Sequence, residues 1–224
     1  MFELHYLRVI GRKLRRALKF SPMHKVLRGL KNHGIELGGL HALELFAFTG
    51  EYHTKDYSHY VASIEAWEIE HEYENTLRRN IPTAKVKITD SYKEIKTTLG
   101  KFNFILIDNP SSTYGPTNGH YCEHFDLFPD VFRVAMDSTV MIISVIPQTT
   151  PAALRRFPYL FNDEQLSRRK EFYKTNHPEK VSFEEMVKTY SDILRVNGFD
   201  LEWHFIVHRS FAYYLVLKIK RLTK

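Results

Sequence analysis

The sequence predicts an α/β fold: a mostly parallel sheet of seven strands with helices on both faces, closed by a C-terminal antiparallel hairpin. Three observations carry this. Short apolar runs alternate with helix-like segments between residues 42 and 146. Four of those runs end in polar or acidic residues. The last two strand-like segments are separated by Arg209 and Ser210 alone. Repeated strand–helix alternation calls for a parallel sheet covered on both faces. A two-residue connection forbids a parallel crossover and forces an antiparallel pair.

Taken in order, residues 42–48 form an apolar strand ending at Thr49 and Gly50. Residues 63–67 read as the second strand, ended by Glu68, and 71–80 as a helix closed by Ile81 and Pro82. Residues 85–89 alternate in strand fashion up to Asp90 and Ser91, and 92–99 predict a short helix stopped by Gly100. Residues 102–107 are a fully apolar strand followed by Asp108, Asn109 and Pro110. A loop punctuated by Gly and Pro leads to a predicted helix over 125–136 and a fifth strand over 139–146. Ser182 with Glu185 forms a capping box for a helix over 183–196, and Gly198 closes it. Strands over 201–208 and 211–219 complete the plan.

At 224 residues, the chain is long enough for one domain with an extension. Residues 1–40 are expected to be a basic helical extension, 41–224 the domain, and about 147–181 an insertion within it. The net charge of +6 is concentrated at the N-terminus: residues 1–35 carry nine Lys or Arg against the single acid Glu3, and the remainder is slightly acidic. A solvated helix face explains this as well as a nucleic acid or an anionic membrane surface does. The single Cys122 excludes an internal disulfide and fits a reducing compartment. No apolar run is long enough to span a bilayer, and no signal-peptide pattern is present. The expectation is a cytoplasmic protein, with attachment at a membrane face as the variant that the basic segment allows.

Open α/β sheets bind ligands outside the carboxyl ends of their strands, where strand order reverses. Each of the first four strands delivers polar groups to that edge. Glycine at Gly50 lets backbone N–H groups approach a ligand. Glu68 follows Gly50 at the spacing of roughly 20 residues expected of a ribose-binding acid. Asp90 is placed to accept from an adenine amino group. Any one such acid is more often a helix cap or a solvated turn; the force lies in four in succession.

On these residues the chain resembles the class I, Rossmann-like S-adenosylmethionine-dependent methyltransferases, from about residue 42 to 219. The segment Glu44-Leu45-Phe46-Ala47-Phe48-Thr49-Gly50 is similar to the Asp-Leu-Phe-Ala-Gly-Thr-Gly turn of several members. The resemblance implies S-adenosylmethionine as cofactor, with Glu44, Phe46, Ala47, Thr49 and Gly50 forming the first turn, Glu68 on the ribose, and Asp90 with Ser91 beside the adenine. Asp108, Asn109 and Pro110 stand where amino-methylating members have Asp/Asn-Pro-Pro-Tyr. Two positions depart from the pattern: Phe48 replaces a glycine, and Ser111 replaces the second proline, with no aromatic residue after it.

Methyl transfer requires alignment and, for some acceptors, removal of a proton. Asp108, Asn109 and His120 are the expected catalytic residues; His53, His124 and Tyr114 are weaker candidates, and no metal ligands are assigned. The segment 147–181 interleaves Arg155, Arg156, Phe157, Tyr159, Arg168, Arg169, Lys170, Phe172 and Tyr173. It reads equally as a substrate lid or as a helical excursion covering the sheet edge. The expected function is methylation of a polar acceptor, anionic in one reading: a nucleic acid, or a sugar or glycan precursor. The alternative is a non-catalytic binding or scaffold protein that kept the fold after Phe48 closed the pocket.

Overall fold

The structure, a computed structural model, describes residues 20–108, 113–114, 121–122, 124–156 and 160–223. The predicted helical pattern over residues 2–18 lies outside them, as do Asn109 and His120. Nine strands are present among the described residues: β1 (His41–Glu44), β2 (Ser63–Glu68), β3 (Lys85–Ile88), β4 (Phe102–Ile107), β5 (Thr113–Tyr114), β6 (Tyr121–Cys122), β7 (Ala135–Val145), β8 (Phe199–Arg209) and β9 (Ala212–Arg221). The helices are α1 (Pro22–Asn32), α2 (Thr54–Tyr57), α3 (Glu74–Asn80), α4 (Ser91–Thr97), α5 (Phe128–Val131), α6 (Pro151–Arg156), α7 (Asp163–Tyr173) and α8 (Phe183–Val196).

Seven strands form one sheet in the order β3-β2-β1-β4-β7-β9-β8, and β5 pairs with β6 as a separate antiparallel ribbon. The pairs β1–β2, β2–β3, β1–β4 and β4–β7 are parallel, whereas β9 runs antiparallel to both β7 and β8. This is the predicted sheet. Its strand order reverses between β1 and β4, which makes their tips the switch point.

Alternation along the strands divides the core. Leu43, Ile105, Ile107, Met141 and Ile143 face a layer containing Tyr92, Ile95, Phe128, Tyr190 and Leu194. Ala42, Phe104, Leu106, Val140 and Ile142 face the opposite layer with Val26, Leu27, Leu30 and Leu77. Both faces are therefore covered, as apolar strands of this kind require.

Helix α1 starts at Ser21, whose side chain accepts from the His24 N–H, with Pro22 in the first turn. Ser21 also donates to Asp56 Oδ2 at 2.6 Å, fastening the start of α1 to α2. Helix α8 has the predicted capping box: Ser182 accepts from the Glu185 N–H, and Glu185 accepts from the Ser182 N–H.

The predicted helix over 125–136 is a correction. One turn, Phe128–Val131, is helical, and the chain is extended from Ala135. The apolar spacing of Phe125, Phe128, Val131 and Phe132 does fill one core face. Backbone pairing takes the rest: Phe102 N–H bonds Val134 O at 2.8 Å, and Ala135 registers with Phe102. Tertiary pairing overrides local periodicity here.

Between β7 and α8, the segment 147–181 contains α6 and α7. Arg169 is fully buried there and acts as an internal brace. It donates to Pro178 O at 2.8 Å and Ile146 O at 2.9 Å, and its guanidinium lies 4.3 Å from the Phe161 ring centre. Arg168 pairs with Asp126. Arg169 thus ties the excursion to the end of β7, and Arg168 ties it to the segment before α5. Arg169→Ala leaves buried carbonyls without donors and is expected to cost about 2–3 kcal/mol. An unfolding free energy in urea within about 0.5 kcal/mol of wild type would show that the brace is dispensable.

Candidate active site

Glu44 ends β1 and Asp108 follows β4, one on each side of the switch point. Glu44 is fully buried, and only 5% of the Asp108 side chain is accessible. Two bare carboxylates in so dry a place would repel one another and lose their hydration, a cost of several kcal/mol per ion. The chain resolves this with cations. His53 lies between them: its Nε2 bonds Glu44 Oε1, and its Nδ1 stands 2.9 Å from Asp108 Oδ2. The latter contact is an ion pair without hydrogen-bond alignment. Arg209, the last residue of β8, donates from Nη1 to Asp108 Oδ1. Its guanidinium lies 5.0 Å from the centre of the Tyr214 ring. Tyr57 donates its hydroxyl to Glu44 Oε2 at 2.5 Å.

The four charges sum to zero when His53 is protonated. Burial opposes that protonation, but Glu44 and Asp108 together outweigh it and raise the His53 pKa from 6.5 to about 9. Arg209 and His53 hold the Asp108 carboxyl far below the usual carboxylate range, against its burial. Burial next to Glu44 keeps the Tyr57 phenol neutral. At neutral pH neither Asp108 nor His53 is a ready general base: the first resists a proton and the second already holds one.

The rest of the rim runs along β1, β2 and β3. After Glu44 the backbone keeps pairing, with Leu45 N–H on Leu106 O at 3.1 Å and Ala47 N–H on Trp67 O at 2.9 Å. It then turns through Phe48 and Gly50, at φ 49° and 70°. Glycine is required at Gly50, since a Cβ there would lie 2.5 Å from Ile81 Cδ1. Phe48 adopts a left-handed conformation that costs a side-chain-bearing residue roughly 1–2 kcal/mol. Its ring is 38% exposed and packs on Tyr73 at 4.3 Å and Tyr52 at 5.6 Å between ring centres. Glu68, at the tip of β2, accepts from Phe48 N–H at 2.6 Å and from Glu70 N–H at 2.9 Å, while burial raises its pKa. Asp90 caps α4, accepting from Tyr92 N–H at 3.0 Å. Ser91 donates to Leu45 O, tying the start of α4 to the first turn. Phe46 is half-buried, its ring 5.9 Å from that of Tyr92, and Thr49 O accepts from Asn80 Nδ2 at 2.8 Å.

No protein-family model and no curated protein matches the chain in sequence. Solved structures do match its backbone. TYW2 of M. jannaschii in complex with AdoMet superposes with a TM-score of 0.51 over 88% of this chain and 76% of that one, at 11% identity. Trm5b from Pyrococcus abyssi gives 0.53 at 11% identity, over 91% of this chain and 50% of that one. Magnesium protoporphyrin IX methyltransferase from Synechocystis, with bound SAH, gives 0.53 at 14% identity, over 89% and 81%. The chain has the class I S-adenosylmethionine-dependent methyltransferase fold.

Within this methyltransferase fold, the strand tips bring Glu44, Phe46, Ala47, Thr49, Gly50, Glu68, Asp90, Ser91 and Asp108 along one continuous edge. Three residues that the motif reading passed over or held loosely belong to its buried part: His53, Tyr57 and Arg209. The signal for His53 was weak, a histidine in a polar loop nine residues after Glu44. Nothing local pairs Arg209 with an aspartate 101 positions earlier. His124 does not belong there. It is fully buried among Phe125, Phe128, Phe172 and Tyr190, its Nε2 is 2.6 Å from the Tyr190 hydroxyl, and burial pushes its pKa down to about 3.

Because the folded-state pKa of His53 lies above its ordinary value, its stabilising effect is complete below pH 6.5 and is lost as pH rises through about 9. Urea unfolding across pH 6.5 to 9.5 is expected to show wild-type stability falling relative to His53→Gln over that window. Parallel curves would mean that His53 is not held as a cation.

Proposed function

We propose that the chain is a methyltransferase that uses S-adenosylmethionine and acts on a polar acceptor. The observation that carries this reading is the convergence of Glu68, Asp90 and the Gly50 turn on one rim beside the β1–β4 switch point. The residues fit the adenosyl end of the cofactor. Glu68 would hold the ribose, since each of its oxygens, though bonded to one backbone N–H, keeps acceptor capacity. Asp90 and Ser91 would flank the adenine, and the backbone from Phe46 to Gly50 would face the methionine part. When bound, the cofactor supplies an electrophilic methyl group on a sulfonium.

The protein's share of the chemistry is mainly alignment. With Asp108 and His53 committed to one another, a proton released by the acceptor would leave to water or to a group on the acceptor itself. This favours acceptors needing no strong base. A tRNA m1G37 methyltransferase of M. jannaschii shares the fold (TM-score 0.51 at 14% identity, over 92% of this chain and 51% of that one), whereas the Synechocystis enzyme is a magnesium protoporphyrin IX methyltransferase. A nucleic-acid acceptor therefore stands beside a small-molecule one, and the basic residues of the N-terminal segment favour an anionic partner.

Phe48 supports a second reading, a binding protein without catalysis, because it places a side chain in a turn whose family pattern has glycine. Titration of the full chain with S-adenosylmethionine separates the two. Glu68→Gln retains an acceptor for Phe48 N–H, and Asp90→Asn retains a helix cap. Each is expected to weaken cofactor binding about tenfold, or ~1.4 kcal/mol, with little change in fold. Full affinity in both would reject the site. Phe48→Gly relieves the left-handed strain, so higher cofactor affinity in that variant than in wild type would identify the phenyl ring as the obstacle. No binding by either protein at millimolar cofactor would favour the non-catalytic reading.

A further inference from the structure

A cleft of about 650 Å³ opens on the same sheet edge, beyond the residues considered so far. Pro147, just past the end of β7, lines it; the β8–β9 turn and the strand ends beside it supply His208, Ser210, Phe211 and Tyr213; and the α7–α8 connection with the start of α8 supplies Lys180 through Glu184. Its position is fixed by contacts on both sides. Gln148 bridges to Lys180 across the base, and Val181 N–H bonds Pro147 O at 2.9 Å. Arg209, adjacent to the lining residues His208 and Ser210, is the group that binds Asp108.

The lining has a definite chemistry. Phe183 and Tyr213 meet edge to face at 4.9 Å, and His208 lies 4.9 Å from Tyr213, so three rings form one wall. Phe211, Val181 and Ala153 add apolar surface. Lys180, Glu184 and Gln148 add a cation, an anion and an amide to the lining. Rings set at 75° and 58° to one another offer faces and edges to a flat π-system, and lining groups of both charge signs suit a ring edge bearing donors and acceptors together. A saturated sugar can lay only C–H bonds on such rings and gains less from them than a π-system does, and a polyanion gains from Lys180 only what it loses to Glu184.

We propose that this cleft binds a flat heteroaromatic ring with mixed donor and acceptor groups on its edge, and that this ring is the acceptor. Only its role as acceptor rests on the methyltransferase reading; binding of the ring does not require the cofactor.

The test is calorimetric titration of the full chain, without cofactor, using guanosine as the flat heteroaromatic probe and glucose as the saturated control. Guanosine is expected to bind and glucose not to. His208→Ala, an exposed change that leaves the core untouched, is expected to weaken guanosine several-fold, and Tyr213→Ala about tenfold or more. Should Tyr213→Ala fail to fold, Phe211→Ala gives the same reading from the β8–β9 turn. Equal binding of glucose and guanosine, no guanosine binding at millimolar concentration, or unchanged affinity in the folded variants would each overturn the proposal. Guanosine binding in a chain that takes no S-adenosylmethionine would keep the cleft and reject only the acceptor role.

Discussion

His53 holds Glu44 and Asp108 together across the point where strand order reverses, and the geometry of the rim follows from that contact. A parallel sheet leaves the tips of β1 and β4 side by side, and each strand ends in a buried acid. Removing the cation from between them would leave Asp108 to Arg209 and Glu44 to the Tyr57 hydroxyl alone, with the repulsion of two buried like charges uncompensated. The same cation fixes the loop after Gly50, because His53 reaches both acids only if residues 45–53 double back over the strand ends.

Arg209 extends this arrangement sideways. It is the last residue of β8, yet its guanidinium reaches Asp108, with Tyr214 of β9 beneath it. The antiparallel hairpin, tied to β7 by backbone pairing and by Lys218 on Ser138 and Arg221 on Asp137, is thereby linked to the end of β4 as well.

The β2–β3 half of the rim is organised differently, through backbone. Glu68 accepts from two N–H groups, Asp90 caps a helix, and Ser91 donates to a carbonyl of the first turn. An acid that serves the fold in this way keeps acceptor capacity, since a carboxylate oxygen has room for more than one donor. Phe48 carries the price of this economy, a left-handed backbone under a ring that leans on Tyr73.

Sequence periodicity and turn chemistry settled the sheet: five apolar runs, a two-residue hairpin and the Ser182–Glu185 box all depend on neighbours within a few positions, and all stand in the structure. The ordered acids at the strand tips were legible for the same reason, because a strand end is a local event. The helix over 125–136 was misjudged since its apolar spacing is local, whereas the pairing of Ala135 with Phe102 is not. The partners of Asp108 were beyond the sequence altogether: His53 and Arg209 lie 55 and 101 positions away, and only the folded sheet brings them to one carboxylate. Local patterns determine which elements form and where polar groups end them. Which of those groups then neutralise one another depends on through-space distance and burial, and these exist only once the chain has folded.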